Sequence, residues 1–232
     1  MRLFLAIIAI FAFINASASI GIVKDVNGRV KLKKHDSIKK IRVKVGTEID
    51  YGDLVVTAKK ATAVLHLKDG SNIVLAPNSS IYFGSYTSAE QKSGKIYYKM
   101  SSRDAKHALK IKTQFAIIGI KGTTFVINEE KNALVLKEGL IGVESIKGEF
   151  NLYRKKVLDE FKSYMAKEMQ GFAKFEKDSG YEPPIKTKSF DLTAGKRVIF
   201  GADNRVNEDF LDTEDKKTFS IFESILKRHY RE

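Results

Sequence analysis

Lys110-Ile111-Lys112-Thr113-Gln114-Phe115-Ala116-Ile117-Ile118-Gly119-Ile120-Lys121-Gly122-Thr123-Thr124-Phe125 carries the strongest structural signal in this chain. Leu109, Ile111 and Thr113 alternate with Lys110 and Lys112, the period-two pattern of a half-buried strand. A glycine-punctuated turn follows, then a second β-rich run. The same texture extends outward from Ile20 to Leu152. Ile41, Val43 and Val45 alternate with Arg42 and Lys44, and Ala63, Leu65 and Leu67 alternate with Val64, His66 and Lys68. Such alternation predicts apolar side chains on one face and basic ones on the other. Lys68-Asp69-Gly70-Ser71 reads as a tight hairpin turn. Many short strands at this spacing imply a sandwich, barrel, roll or solenoid, and no strict repeat singles out a regular solenoid.

The texture changes near Tyr153. Leu158, Phe161, Met165, Met169, Phe172 and Phe175 recur every three or four residues and predict one apolar stripe on a helix. Gly180 and Pro183-Pro184 stop it. Intramolecular docking and a partner or dimer seam are the two uses of such a stripe. The β pattern returns over Phe190–Phe200 as two short strands around Gly195. Asp203–Asp215 is polar and reads as a loop. Phe219, Phe222, Leu226 and Tyr230 predict a last amphipathic helix from about Asp212, with Asp212 or Thr213 as its N-cap.

The 232 residues suffice for one or two domains, and the apolar content supports a true core. There is no cysteine, which excludes disulfides, thiolate metal sites and lipidation through sulfur. Arg2, the apolar run Leu3–Ile14 and Ala16-Ser17-Ala18 have the order of a cleavable secretory signal over residues 1–18. The expected location is therefore periplasmic or secreted. Lys and Arg number 41 against 28 Asp and Glu, a net charge of +13. These cations are spread along the chain, so they read as solvated strand faces and edge protection rather than a binding patch. The four histidines, His35, His66, His107 and His229, are scattered, and neither a zinc-protease nor a nucleophile-elbow motif is present. Catalysis, cofactors and metals are not expected. Gly119-Ile120-Lys121-Gly122 imitates the loop of an RNA-binding module, but its flanks are β-like rather than helical, so nucleic acid is not expected as a partner.

Three segments, in order, resemble the FecR domain family. Val45–Thr57 contains Gly52-Asp53 and Thr57; Ala61–Ile81 contains the strand, Asp69-Gly70-Ser71 turn, strand and Pro77 pattern; the opening run contains Lys121-Gly122-Thr123-Thr124-Phe125. Leu136–Val143, with its Glu138-Gly139 turn, fits the closing strand. Gln114 stands where the family usually has Pro, and Lys121 where it usually has Arg, so the planar two-pronged donor of arginine is lost. The resemblance implies an all-β domain, solenoid-like or roll-like, that binds or senses in the cell envelope. By their residue types, Gly52, Asp53, Asp69, Gly70 and Ser71 read as turn chemistry. Gly122 reads as a sharp turn or close approach, Thr123 and Thr124 as backbone-bonding hydroxyls, and Phe125 as core.

The expected organisation is a signal peptide (1–18), a FecR-like β domain (19–152), an amphipathic helical insertion (153–182), returning β elements (183–203) and a C-terminal loop and helix (204–232). The expected partner is another envelope protein or an anionic or glycan envelope component. The alternative role is an assembly factor that oligomerises through the Leu158–Phe175 stripe.

Overall fold

The structure is a computed structural model and describes residues 19–101, 108–155 and 184–228. The leader and the Leu158, Phe161, Met165, Met169, Phe172 and Phe175 stripe lie outside the described residues, as do His107 and His229.

Strands form two large sheets. The first has nine strands in the order β3 (Lys40–Arg42), β2 (Val30–Lys33), β5 (Leu54–Thr57), β8 (Ser80–Ser85), β9 (Ser88–Ser93), β11 (Leu109–Lys112), β12 (Ile117–Ile120), β15 (Leu140–Glu144) and β18 (Ser189–Thr193). The second has eleven: β4 (Glu48–Ile49), β1 (Gly21–Asn27), β6 (Thr62–Leu67), β7 (Asn72–Leu75), β10 (Lys95–Lys99), β13 (Thr124–Asn128), β14 (Ala133–Glu138), β19 (Lys196–Phe200), β20 (Arg205–Phe210), β16 (Phe150–Arg154) and β17 (Ile185–Thr187). Neither sheet closes into a barrel. The chain advances along both sheets nearly in sequence order, switching from one to the other every strand or two. Neighbours pair antiparallel except β9 with β11 and β16 with β20.

Alternation explains the core. In β11, Leu109 and Ile111 point inward while Lys110 and Lys112 are exposed. Leu32, Val55, Ile81, Ile111, Ile118 and Ile141 of the nine-stranded sheet join Leu65, Ile73, Ile96, Phe125, Leu134 and Val198 of the other in one buried cluster. Each such side chain contributes about 1.5–3 kcal/mol by leaving water. Phe125 stacks on Tyr98 with centroids 4.8 Å apart. The Tyr98 hydroxyl donates to Gln91 Oε1 at 2.9 Å, and Gln91 Nε2 donates to the carbonyls of Gly94 and Ile127. These polar groups enter the core with partners, which removes most of the burial penalty.

The helix α1 (Thr213–Arg228) covers part of the outer face of the eleven-stranded sheet. Asp212 caps it as expected: its Oδ1 accepts from the Asp215 N–H at 2.8 Å, and Asp215 Oδ2 accepts from the Asp212 N–H at 3.1 Å. Arg197 on β19 pairs with both carboxylates and ties the helix start to the sheet. Phe219, Phe222 and Leu226 then pack on Val64, Val74, Tyr97, Val126 and Val135. This corrects the simple two-faced reading of β6, because Val64 faces outward yet is buried beneath α1.

Two other expectations change. The alternating run at Ile41 ends as a strand at Arg42; Val43 is buried, but Val45 stands 64% exposed in the following turn. The two short strands expected around Gly195 form as β18 and β19. β18 and β19 belong to different sheets, so that turn is a corner between layers. The polar stretch after Asp203 is not all loop: Arg205–Phe210 forms β20, held between β19 and β16. Its inward Glu208 pairs with Lys196 at 2.6 Å and with Arg154 at 3.3 Å, so a charged residue occupies a position where the apolar pattern fails.

Candidate functional site

The family-motif residues build the frame. Asp53 is fully buried. Its Oδ1 accepts from the His35 N–H at 3.2 Å, and its Oδ2 accepts from the Asp50 N–H at 2.9 Å. Lys34 Nζ lies 2.9 Å from Asp53 Oδ2 and 2.7 Å from Asp50 Oδ2. Burial works against the Lys34 charge, but hydrogen bonds to Asp50 and Asp53 and the charge of both outweigh it, so its pKa lies above the ordinary lysine value. Gly52 takes φ +85°, and a Cβ there would meet His35 Cβ at 2.4 Å. Gly52-Asp53 therefore anchors the tip of the β2–β3 hairpin, which a turn-only reading does not convey.

The other motif residues act similarly. Thr57 Oγ1 donates to the Ala76 carbonyl at 2.7 Å and accepts from the Ser79 N–H at 2.9 Å. Asp69 accepts from the Ser71 N–H at 2.9 Å while Gly70 takes φ +85°, and Ser71 Oγ accepts from the Ser101 N–H at 3.0 Å. Gly122 has φ +68°, and a Cβ on Gly139 would strike Thr123 Cγ2 at 2.6 Å and the Gly122 carbonyl at 2.8 Å. Thr123 is buried, and its Oγ1 has no partner among the described residues; the backbone-bonding role expected of that hydroxyl is not observed there. The Thr124 hydroxyl instead donates to the Glu138 side chain at 3.3 Å. Lys121 is exposed and forms no ion pair among the described residues.

The Gln114 departure has a structural consequence. Its backbone N–H donates to Glu129 Oε2 at 3.3 Å, a bond that proline could not make. Glu129 is buried, and burial pushes its carboxyl up to about 7, with the Gln114 N–H opposing the shift and Glu90 adding to it. His66 Nδ1 sits 2.9 Å from Asn72 Oδ1, a local pairing away from any acid–base cluster. Among the described residues no cluster of ligating side chains suits a metal ion.

The surface differs between the sheets. α1 covers the eleven-stranded sheet in part, whereas outward residues of the nine-stranded one such as Lys31, Lys110 and Lys112 are exposed. Strand register places Asp191, Gly142, Gly119 and Lys110 in one row across β18, β15, β12 and β11. Three strand spacings separate its ends, roughly 14 Å. The row floors a shallow trough of about 360 Å³, bordered also by Ile117, Val143, Glu144, Ser189 and Phe190. Gly119 and Gly142 are directly paired, lie mid-strand and lack positive φ. A Cβ on either would meet nothing nearer than 3.7 Å. The fold thus gives no reason for glycine, which weakens a strand interior and often marks close approach by another molecule.

At the other end of this sheet, β2 and β3 form a basic edge hairpin. Lys31 lies opposite Arg42, and Lys33 opposite Lys40. These cations lie close together in the sequence, and the β2–β3 pairing sets four of them side by side on one edge hairpin. The trough and the hairpin are the features that residue-by-residue reading missed. Gly119 and Gly142 had a signal, since each occupies an outward position of an alternating strand, in Ile118-Gly119-Ile120 and Ile141-Gly142-Val143.

Residues 53–141 match the model of the FecR protein family. Two crystal structures of a "putative anti-sigma factor" from Parabacteroides distasonis resemble the chain. One has a TM-score of 0.47 at 12% identity, covering 72% of this chain and 63% of the other. The second has a TM-score of 0.44 at 12% identity, covering 69% and 61%. The chain thus spans less than two thirds of either neighbour's length. Comparison with curated proteins finds no match.

Proposed function

From the premise that residues 53–141 are a FecR domain, we propose that this chain is a recognition module of the cell envelope, in the periplasm or outside the cell, that captures a protein partner without catalysis. The FecR family is non-enzymatic in general, which supports the non-catalytic reading. The observation that carries the reading is the paired Gly119 and Gly142, kept bare where the fold would accept side chains. A segment of the partner would lie against that floor. Lys110 and Asp191, opposite in charge at the two ends of the row, would orient its polar groups. The surrounding two-sheet body supplies rigidity, which reduces the ordering cost of binding.

The test separates binding from folding. Gly119→Thr or Gly142→Val should leave the thermal midpoint unchanged or raise stability by about 0.5–1 kcal/mol, since a β-branched residue replaces glycine in a strand. The same variants should reduce capture of the native partner about tenfold or more in crosslinking and pull-down of the exported protein, because a side chain now fills the approach path. Equal recovery of one identified partner by wild type and both variants would remove the trough from consideration.

A further inference from the structure

Beyond the trough, we propose a second surface: the β2–β3 hairpin docks on an anionic lipid bilayer, with Ile38 entering the headgroup region and the surrounding cations contacting lipid phosphates. Residues 31–44 contain Lys31, Lys33, Lys34, Lys39, Lys40, Arg42 and Lys44 against one acid, Asp36. Only Lys34 is consumed internally, by Asp50 and Asp53. The other six form no ion pair among the described residues. Lys31 with Arg42 and Lys33 with Lys40 are cross-strand pairs of like charge, an arrangement that disfavours the ladder. Edge protection explains lysines on an outer strand, but not like charges set directly opposite one another on two paired strands. This density of charge is accounted for by an external anion array.

Apolar exposure identifies which array. Ile38 at the hairpin tip is 95% exposed and Val45 in the next turn 64%, while Ile41 shares the face of buried Leu32, away from the cation pairs. A phosphate polymer in water offers nothing to an isoleucine, whereas a bilayer interface rewards both burial of the apolar tip and charge pairing around it. The hairpin tip is held firmly enough to present these groups, since Asp53 grips the His35 N–H and Lys34. The hairpin also lies about five strand spacings from Gly119, roughly 24 Å. A lipid surface and a protein partner could therefore be engaged together.

The experiment is co-sedimentation of the full chain with vesicles of phosphatidylcholine containing phosphatidylglycerol, against phosphatidylcholine alone. The difference between the vesicles reads electrostatic attraction by the whole chain, net charge +13, and the hairpin variants assign its share to the hairpin. Binding to the anionic vesicles should exceed that to neutral ones and fall with salt. Lys33→Glu changes the patch by two charges and should weaken anionic-vesicle binding roughly 30-fold. It also turns the Lys33–Lys40 pair into an opposite-charge pair, so the thermal midpoint should hold or rise. Ile38→Ser should weaken vesicle binding with the fold intact. Gly142→Val should leave vesicle binding unchanged, which separates this surface from the trough. The proposal is overturned if Lys33→Glu binds anionic vesicles like wild type. It is equally overturned if Ile38→Ser has no effect while heparin or duplex DNA binds more tightly than the vesicles, which would assign the patch to a soluble polyanion.

Discussion

Asp53→Ala should destabilise the protein by about 3–5 kcal/mol, the range found when one partner of a buried charged pair is removed. The side chain is fully buried and accepts from two backbone N–H groups, those of His35 and Asp50, besides pairing with Lys34. Truncation leaves both N–H groups without that acceptor and Lys34 with the Asp50 carboxylate and the Glu48 carbonyl. The Asp50 N–H is buried and cannot turn to water, whereas the His35 N–H and Lys34 are partly exposed and recover some of the loss from solvent. For a chain of this size the thermal midpoint should fall by roughly 10 °C. Asp53→Asn should recover part of the loss, since its amide oxygen still accepts one N–H. Urea unfolding of the three proteins at neutral pH makes the comparison. A change of less than about 1 kcal/mol for Asp53→Ala would show that the grip on the hairpin is not energetically important. Because the same carboxylate holds the hairpin tip, Asp53→Ala should also loosen residues 34–36, seen as faster amide exchange there than in β11.

The role of Asp53 shows where sequence reading succeeds and where it stops. Period-two patterning in β11 and β12 and the Asp69-Gly70 turn are local properties, so they survive folding unchanged. The same holds for the α1 cap, where Asp212 and Asp215 lie three residues apart. Other features depend on which strand comes to lie beside which. Lys31 and Arg42 are eleven positions apart, and only the β2–β3 register makes them neighbours. Gly119 meets Gly142 across a gap of 23 residues by the pairing of β12 with β15. β20 escaped notice because Glu208 occupies an inward position that patterning reserves for apolar residues. Its compensation by Lys196 and Arg154 comes from other strands. Val64 likewise reads as surface until α1, some 150 residues later, is laid over it.

Glu129 gives the second large expectation, and its sign follows from the direction of its shift. The unfolded chain releases this proton near the ordinary value of 4.5, whereas the folded chain holds it to about 7. Between those values the folded state binds more protons, so unfolding free energy falls as pH rises. The contribution is intact below about 4.5 and lost once pH passes through about 7. The full gap corresponds to roughly 3 kcal/mol. Relaxation and water penetration around a buried carboxyl reduce such a gap in practice, so the expected effect is about 2 kcal/mol. Glu129→Gln retains an oxygen for the Gln114 N–H and carries no charge. It should match wild type at low pH and exceed its stability by about 2 kcal/mol above neutrality. The difference between the two proteins is the quantity to follow, by urea unfolding from about pH 5 to about pH 8. Parallel profiles would mean that the Glu129 carboxyl is ionised and accommodated in the folded chain. A gap that opens on the alkaline side would mean that the Gln114 N–H holds a carboxyl whose ionisation burial opposes.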